Sequence, residues 1–351
     1  MNLLVPIFWL IVGLILLIKG GDWFVDGASG IARRFHLPEI LIGATVVSIG
    51  TTLPEVMVSA SAAAQGSGEI AYGNAIGSII CNTALISAIT IAIKPGPAAR
   101  KSMTMPVAFF FGAAALYCAV AYFSGTFTRT IGLVLLATFV VYMISTVLRM
   151  KKSAVSLDTV ALEEKSGALA SEAELEAASG EDHTVESAED GTKDSLLKDI
   201  LMLVVGAILI AIGATLLNEN AQTIARECGV SEKVIGLTIV ALGTSLPELV
   251  TAITSLIKGH GSLSLGNIIG ANLFNLVLVS GTAITISPFD VPATNTLANG
   301  MNLSLVLDIP VMLGVMALMT IPTLIKQKLS RWQGFALLAT YISYTVLLFI
   351  L

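Results

Sequence analysis

An ungapped internal repeat constrains this chain more than any other feature. Residues 43–82 carry Gly50-Thr51-Thr52-Leu53-Pro54-Glu55, then Gly73-Asn74-Ala75-Ile76-Gly77, then Asn82. Residues 236–275 carry Gly243-Thr244-Ser245-Leu246-Pro247-Glu248, then Gly266-Asn267-Ile268-Ile269-Gly270, then Asn275. The offset is 193 at every landmark, and fifteen of the forty positions are identical. Each copy sets hydroxyls, a proline and a glutamate inside an apolar stretch. That combination is costly in lipid, so its doubling implies a site formed between two halves.

The surroundings are those of a polytopic membrane protein. The chain is 55% hydrophobic and 12% charged, about half the charge of an ordinary soluble chain. Apolar runs place spans near 3–26, 39–64, 69–93, 104–124, 128–148, 199–225, 233–257, 262–286, 300–322 and 333–351. The N-terminus has neither a basic leader nor a small-residue cleavage site, so the first run is expected to be a retained span. Three segments follow: a first membrane half (1–148), an acidic loop (149–198) and a second membrane half (199–351). Residues 153–194 hold twelve acids against Lys165 and Lys193, and they bury too little apolar surface to promise a fold. Cys81, Cys118 and Cys228 show no paired spacing and read as packing residues.

Lysine and arginine set the orientation. Twelve (Arg33, Arg34, Lys94, Arg100, Lys101, Arg149, Lys151, Lys152, Lys258, Lys326, Lys328, Arg331) flank spans on one side, and three (Arg129, Arg226, Lys233) on the other. This predicts both termini outside and the acidic loop in the cytoplasm. Five spans per half is an odd number, so the second half enters the membrane from the opposite face. The expected fold is all-α: ten transmembrane helices as two inverted five-helix repeats.

The repeat also carries chemistry. Pro54 and Pro247 lack an N–H and clash one turn back, so each is expected to bend or break its helix and free carbonyls near Gly50 and Thr51 and their mates. Thr51, Thr52, Thr244 and Ser245 add oxygens, while Glu55 and Glu248 add carboxylates at the start of the following half-helix. Carboxylate, carbonyl and hydroxyl oxygens are what hard cations want. A bound cation would offset both buried charges, which makes a cation antiporter with a two-glutamate site the reading of these residues. Gly73/Gly77 and Gly266/Gly270 are spaced for close helix packing. Asn74, Ser78 and Asn82 share one face beside them, with Asn267, Ala271 and Asn275 in the second copy. The amides of Asn74 and Asn267 serve equally as cross-helix bonds, whereas Asn82 and Asn275 are expected to line the ion site. Asp308 falls inside the ninth span, but its repeat mate is Ala115, so a helix–helix hydrogen bond is its expected role, with a secondary ion or proton site as the alternative.

G-T-[ST]-L-P-E followed by G-N-x-x-G, twice, resembles the signature repeats of the cation/calcium exchanger superfamily, closest to its prokaryotic sodium/calcium exchangers. The resemblance covers both halves. It implies that Glu55 and Glu248 bind calcium or sodium in alternation, with Thr51 and Thr244 carbonyls completing the metal site. It further implies sodium-site hydroxyls at Thr52, Ser245 and Ser78. The chain departs from many relatives in having Asn275 where they have Asp, Ala271 opposite Ser78, and Ile79 opposite Asn272. Calcium/proton exchange through the same glutamates is therefore the alternative. A channel would need an open pore, and an ATP-driven pump a G-x-x-x-x-G-K-[ST] loop that is absent. The expected partners are the transported Ca2+ and Na+ and the lipid bilayer of the inner (plasma) membrane. The sequence points to no enzyme activity, resident cofactor, nucleotide, nucleic acid or obligate protein partner.

Overall fold

The computed structural model describes residues 3–150, 191–229, 241–292 and 302–350. Ten helical elements run through them: α1 (Leu4–Arg34), α2 (Glu39–Ala64), α3 (Gly68–Ile93), α4 (Arg100–Ser124), α5 (Arg129–Met150), α6 (Gly191–Glu227), α7 (Leu246–Ile257), α8 (Gly261–Ile286), α9 (Ser304–Lys326) and α10 (Arg331–Ile350). Eight of these are long and apolar enough to span a bilayer; α7 is short, and a single turn, Ala241–Thr244, precedes it. Helix is forced here because a lipid-embedded backbone must satisfy its polar groups internally. α6 begins at Gly191, several residues before the apolar run that announces it. Most of the acidic segment (151–190) lies outside the described residues, as do 230–240, where the second repeat opens.

Burial divides the helices into a core and a lipid-facing shell. The apolar stretches of α8, α3 and α2 are 83%, 72% and 61% buried, against 22% for α5 and α6. The repeated helices therefore form the centre, while α1 and α6 cover one flank and show Leu, Ile and Val outward. α1 and α6 meet along a glycine seam. A Cβ on Gly13, Gly20 or Gly27 would strike the α6 backbone at Gly213, Gly206 and Asp199 respectively, at 2.5–2.9 Å. Rising numbers on α1 match falling numbers on α6. The first helices of the two halves are therefore antiparallel, as inversion requires.

The connections sort onto two faces. On one, the α3–α4 link meets the α9–α10 link: Ala98 N–H donates to Gln327 O and Leu329 N–H to Gly96 O, both at 2.9 Å. On the same face Lys258 pairs with Asp26 at 2.8 Å, and His260 Nδ1 stands 2.6 Å from Glu39. On the other face, β1 (Thr126–Phe127) pairs antiparallel with β2 (Phe289–Asp290). The links that the lysine and arginine pattern groups together do share a face.

Five π-helical segments interrupt the helices among the described residues: Gly43–Val47, Asn82–Ser87, Val120–Ser124, Asn275–Val279 and Ser304–Asp308. Such insertions are rare and concentrate at functional sites. Asn82–Ser87 and Asn275–Val279 begin at equivalent repeat positions, so the register shift belongs to the repeat itself.

Candidate cation site

Four core helices, α2, α3, α7 and α8, bring the repeated residues together. Glu55 on α2 and Glu248 on α7 are both 0% exposed, and Glu248 lies within Coulombic reach of Glu55. Among the described residues, all four of their carboxylate oxygens lack a hydrogen-bond partner. The Thr52 and Ser245 hydroxyls, and the amide O and N of Asn82 and Asn275, are likewise buried and unpartnered among the described residues. Ten orphaned polar atoms thus converge from six residues of the doubled motif. Buried polar atoms in native folds are normally satisfied. This set, rich in oxygen and doubly anionic, has the composition of a hard-cation site. Among the described residues no third Asp, Glu, His or Cys joins the two glutamates as a metal-binding cluster.

The two copies differ in how they break. Pro54 lies inside an uninterrupted α-helix, Ser48–Ala64, so the break expected there is absent. The expected electronic consequence survives, because Pro54 has no N–H to offer the Gly50 carbonyl. In the second copy the chain does break, at Ser245, and Pro247 stands in the first turn of α7 with Glu248 beside it. In the first copy a π segment lies upstream, at Gly43–Val47; the matching residues 236–240 lie outside the described residues. Two side chains satisfy carbonyls in that π segment: Tyr142 donates to Ala44 O at 2.9 Å, and Ser48 to Gly43 O at 2.7 Å.

Other expected site residues take distinct places. Thr51 is buried, within reach of Glu248, and donates to Asn267 Oδ1 at 3.2 Å. Thr244 closes the turn Ala241–Thr244 and is only half-buried, unlike its mate. Ser78 is buried one turn before Asn82. Asn74 donates to Glu55 O at 3.1 Å and Ser59 Oγ at 2.8 Å, so it braces the backbone that carries Glu55. Asn267 also accepts from Ser48 Oγ through its backbone O at 2.9 Å, tying the second half to the first.

Close packing by the glycines is visible in the second copy. A Cβ on Gly266 would meet Ile40 O at 2.2 Å, and one on Gly270 would meet Ser48 Oγ at 2.3 Å. Gly73 and Gly77 meet no described residue; the repeat predicts their partners among 233–237, which lie outside the described residues.

Several residues around the site escape a repeat-based reading. Cys81 packs in the buried core, as expected, and there lies beside Ser245 and Tyr341 and near both glutamates. Cys228, also read as packing, is exposed at the end of α6. Thr251 and Ser255 continue the Glu248 face of α7 with buried, unpartnered hydroxyls. Their repeat mates are Val58 and Ala62, so a search for doubled residues passes over them. Asn272 donates to Thr83 Oγ1 at 2.6 Å and locks α8 to α3.

Comparison with known proteins accords with this geometry. The model of the sodium/calcium exchanger protein family matches residues 5–148 and 198–350. A protein named as an antiporter, CaxA of Alkalimonas amylolytica, is 34% identical over 348 residues, 99% of each chain. An uncharacterized membrane protein of Methanocaldococcus jannaschii is 38% identical over 144 residues, 40% of this chain and 46% of that protein. A solved structure of the sodium-calcium exchanger NCX_Mj superposes with a TM-score of 0.73 at 29% identity, covering 97% of each chain. With both membrane halves matched and the inverted ten-helix fold in common, this chain belongs to the sodium/calcium exchanger protein family, a family of membrane antiporters.

Proposed function

We propose that this antiporter exchanges Ca2+ for Na+ by alternating access around the site between Glu55 and Glu248. The observation that carries the reading is the pair of buried glutamates, one from each inverted repeat, with all four oxygens unpartnered among the described residues. Ca2+ binds between the two carboxylates with the Thr51 and Thr244 carbonyls. Na+ takes the same carboxylates with the Thr52, Ser245 and Ser78 hydroxyls and the Asn82 and Asn275 amides. Competition for one charge pair then couples the two fluxes: two negative charges accept one divalent or two monovalent cations, but not both at once. Both termini face outward, and the acidic segment faces the cytoplasm of an inner-membrane protein.

A second reading, calcium/proton exchange, draws support from the neutral Asn275 and from apolar Ala271 and Ile79 at positions where sodium ligands are expected. Calcium uptake into proteoliposomes under separately imposed sodium, potassium and proton gradients tests both. Uptake that follows the sodium gradient supports the first reading. Uptake that follows only the pH gradient replaces it with the second.

A further inference from the structure

Asp308 is an acidic side chain of a membrane span that the two-glutamate site does not use. Asp308 ends the π-helical segment Ser304–Asp308 that opens α9, and its repeat mate is Ala115, so it has no part in the doubled site. Tyr344 of α10 donates its phenol to Asp308 Oδ1 at 3.0 Å. Ser304, one turn earlier, interacts with the same carboxylate. Tyr72 of α3 is near enough to interact with Asp308, Ser304 and Tyr344. Its hydroxyl is buried and has no hydrogen-bond partner among the described residues.

The backbone marks the same place independently. Three of the five π segments lie on α2, α3 and α8, the helices that build the two-glutamate site. The other two, Val120–Ser124 and Ser304–Asp308, meet each other three residues before Asp308, where Tyr122 of the first donates to Leu305 O of the second at 2.5 Å. A π turn leaves carbonyls free to accept from groups other than the helix itself. Among the five described π segments, Ser304–Asp308 is the one that itself carries a carboxylate.

Among the described residues Asp308 has no cationic partner: no lysine, arginine or histidine acts on it. Residues 293–301, which lead into α9, contain no charged side chain. The titratable groups that surround it are phenols: Tyr72 from α3, and Tyr344 from α10, which also carries Tyr341. An intramembrane carboxylate whose described partners are neutral hydroxyls is costly and marks a site. One carboxylate with hydroxyl, phenol and carbonyl oxygens supplies a single negative charge and hard ligands. That balance suits a monovalent hard cation, whereas a divalent one would be left half-neutralised.

We propose that Asp308, Ser304, Tyr72 and Tyr344 hold a second sodium ion, separate from the two-glutamate site and on the face opposite the lysine- and arginine-rich links. The inference does not depend on which ion drives calcium exchange.

The test is equilibrium binding of radioactive sodium to purified full-length protein, with choline keeping ionic strength constant. In the E55Q/E248Q variant a saturable sodium component should remain. Adding Asp308→Asn should weaken it at least tenfold, and adding Tyr344→Phe several-fold. Tyr344→Phe keeps the ring packing and carries the test if the Asp308 variant does not fold. Asp308→Asn alone should keep the calcium-displaceable sodium, which reports the glutamate site. Absence of saturable sodium binding in folded E55Q/E248Q protein overturns the proposal, as does unchanged binding after Asp308→Asn. A melting temperature that follows pH through Asp308 but ignores sodium also overturns it, assigning the carboxylate to a proton instead.

Discussion

Glu55 and Glu248 each bring a carboxylate whose charge no base offsets among the described residues. Gln is nearly isosteric and removes that charge. Taking one partner from a desolvated ionic set costs about 3–5 kcal/mol. Glu55→Gln or Glu248→Gln should therefore lower calcium transport by at least two orders of magnitude while expression and melting temperature stay close to wild type. Wild-type exchange rates in either well-expressed variant would show that the site lies elsewhere. Asn275 supports a second expectation at this scale. Its amide is fully buried and, among the described residues, unpaired, and it is neutral, so Asn275 brings the glutamate site no charge with which to offset a co-bound potassium ion. Sodium-driven calcium flux should persist when choline replaces potassium, and a collapse of flux would remove Asn275 from the site. These residues were legible in the sequence because the repeat prints them twice. Thr251, Ser255 and Cys81 were not, because their mates Val58, Ala62 and Phe274 erase the signal. A side chain needed by only one half has no second copy to reveal it.

Among the elements, the proline motifs foretold irregular helix, but not its form. Sequence spacing located the kink at Pro54, whereas the structure moves the irregularity upstream into a π segment and keeps the proline inside a continuous helix. Proline states which N–H is missing; where the strain goes depends on Tyr142 and Ser48, which come from outside the motif or beside it. The glycines were more legible, and they support a graded prediction. Gly266→Ala places a methyl 2.2 Å from Ile40 O, a backbone atom that cannot yield, whereas Gly112→Ala meets nothing within 4 Å among the described residues. Overpacking of this kind costs about 1–3 kcal/mol. Gly266→Ala should lower the melting temperature of the detergent-solubilised protein and reduce transport; Gly112→Ala should alter neither. Equal behaviour of the two would mean that α8 does not rest on the α2 backbone as described.

For the whole molecule, the inverted fold was written in the odd number of spans per half and in the asymmetric lysines and arginines. The flank of α1 against α6 was not, because its seam uses glycines at seven-residue spacing outside the doubled segment. Which links share a face now rests on direct contacts, Gly96 with Leu329 on one and Phe127 with Phe289 on the other. Which of those faces looks into the cytoplasm rests on the charge asymmetry, and a native reporter tests it. Cys228 is exposed at the end of α6, just past Arg226, whereas Cys81 is buried and Cys118 is partly covered within α4. If the arginine-poor face is external, a membrane-impermeant maleimide added to intact right-side-out cells should label the protein, and Cys228→Ser should remove that label. Inverted vesicles should give the opposite pattern, with labelling only after permeabilisation. Labelling confined to intact inverted vesicles would turn the protein over in the membrane and place the acidic segment outside. It would leave the inverted repeat untouched, because the antiparallel α1–α6 seam holds in either orientation.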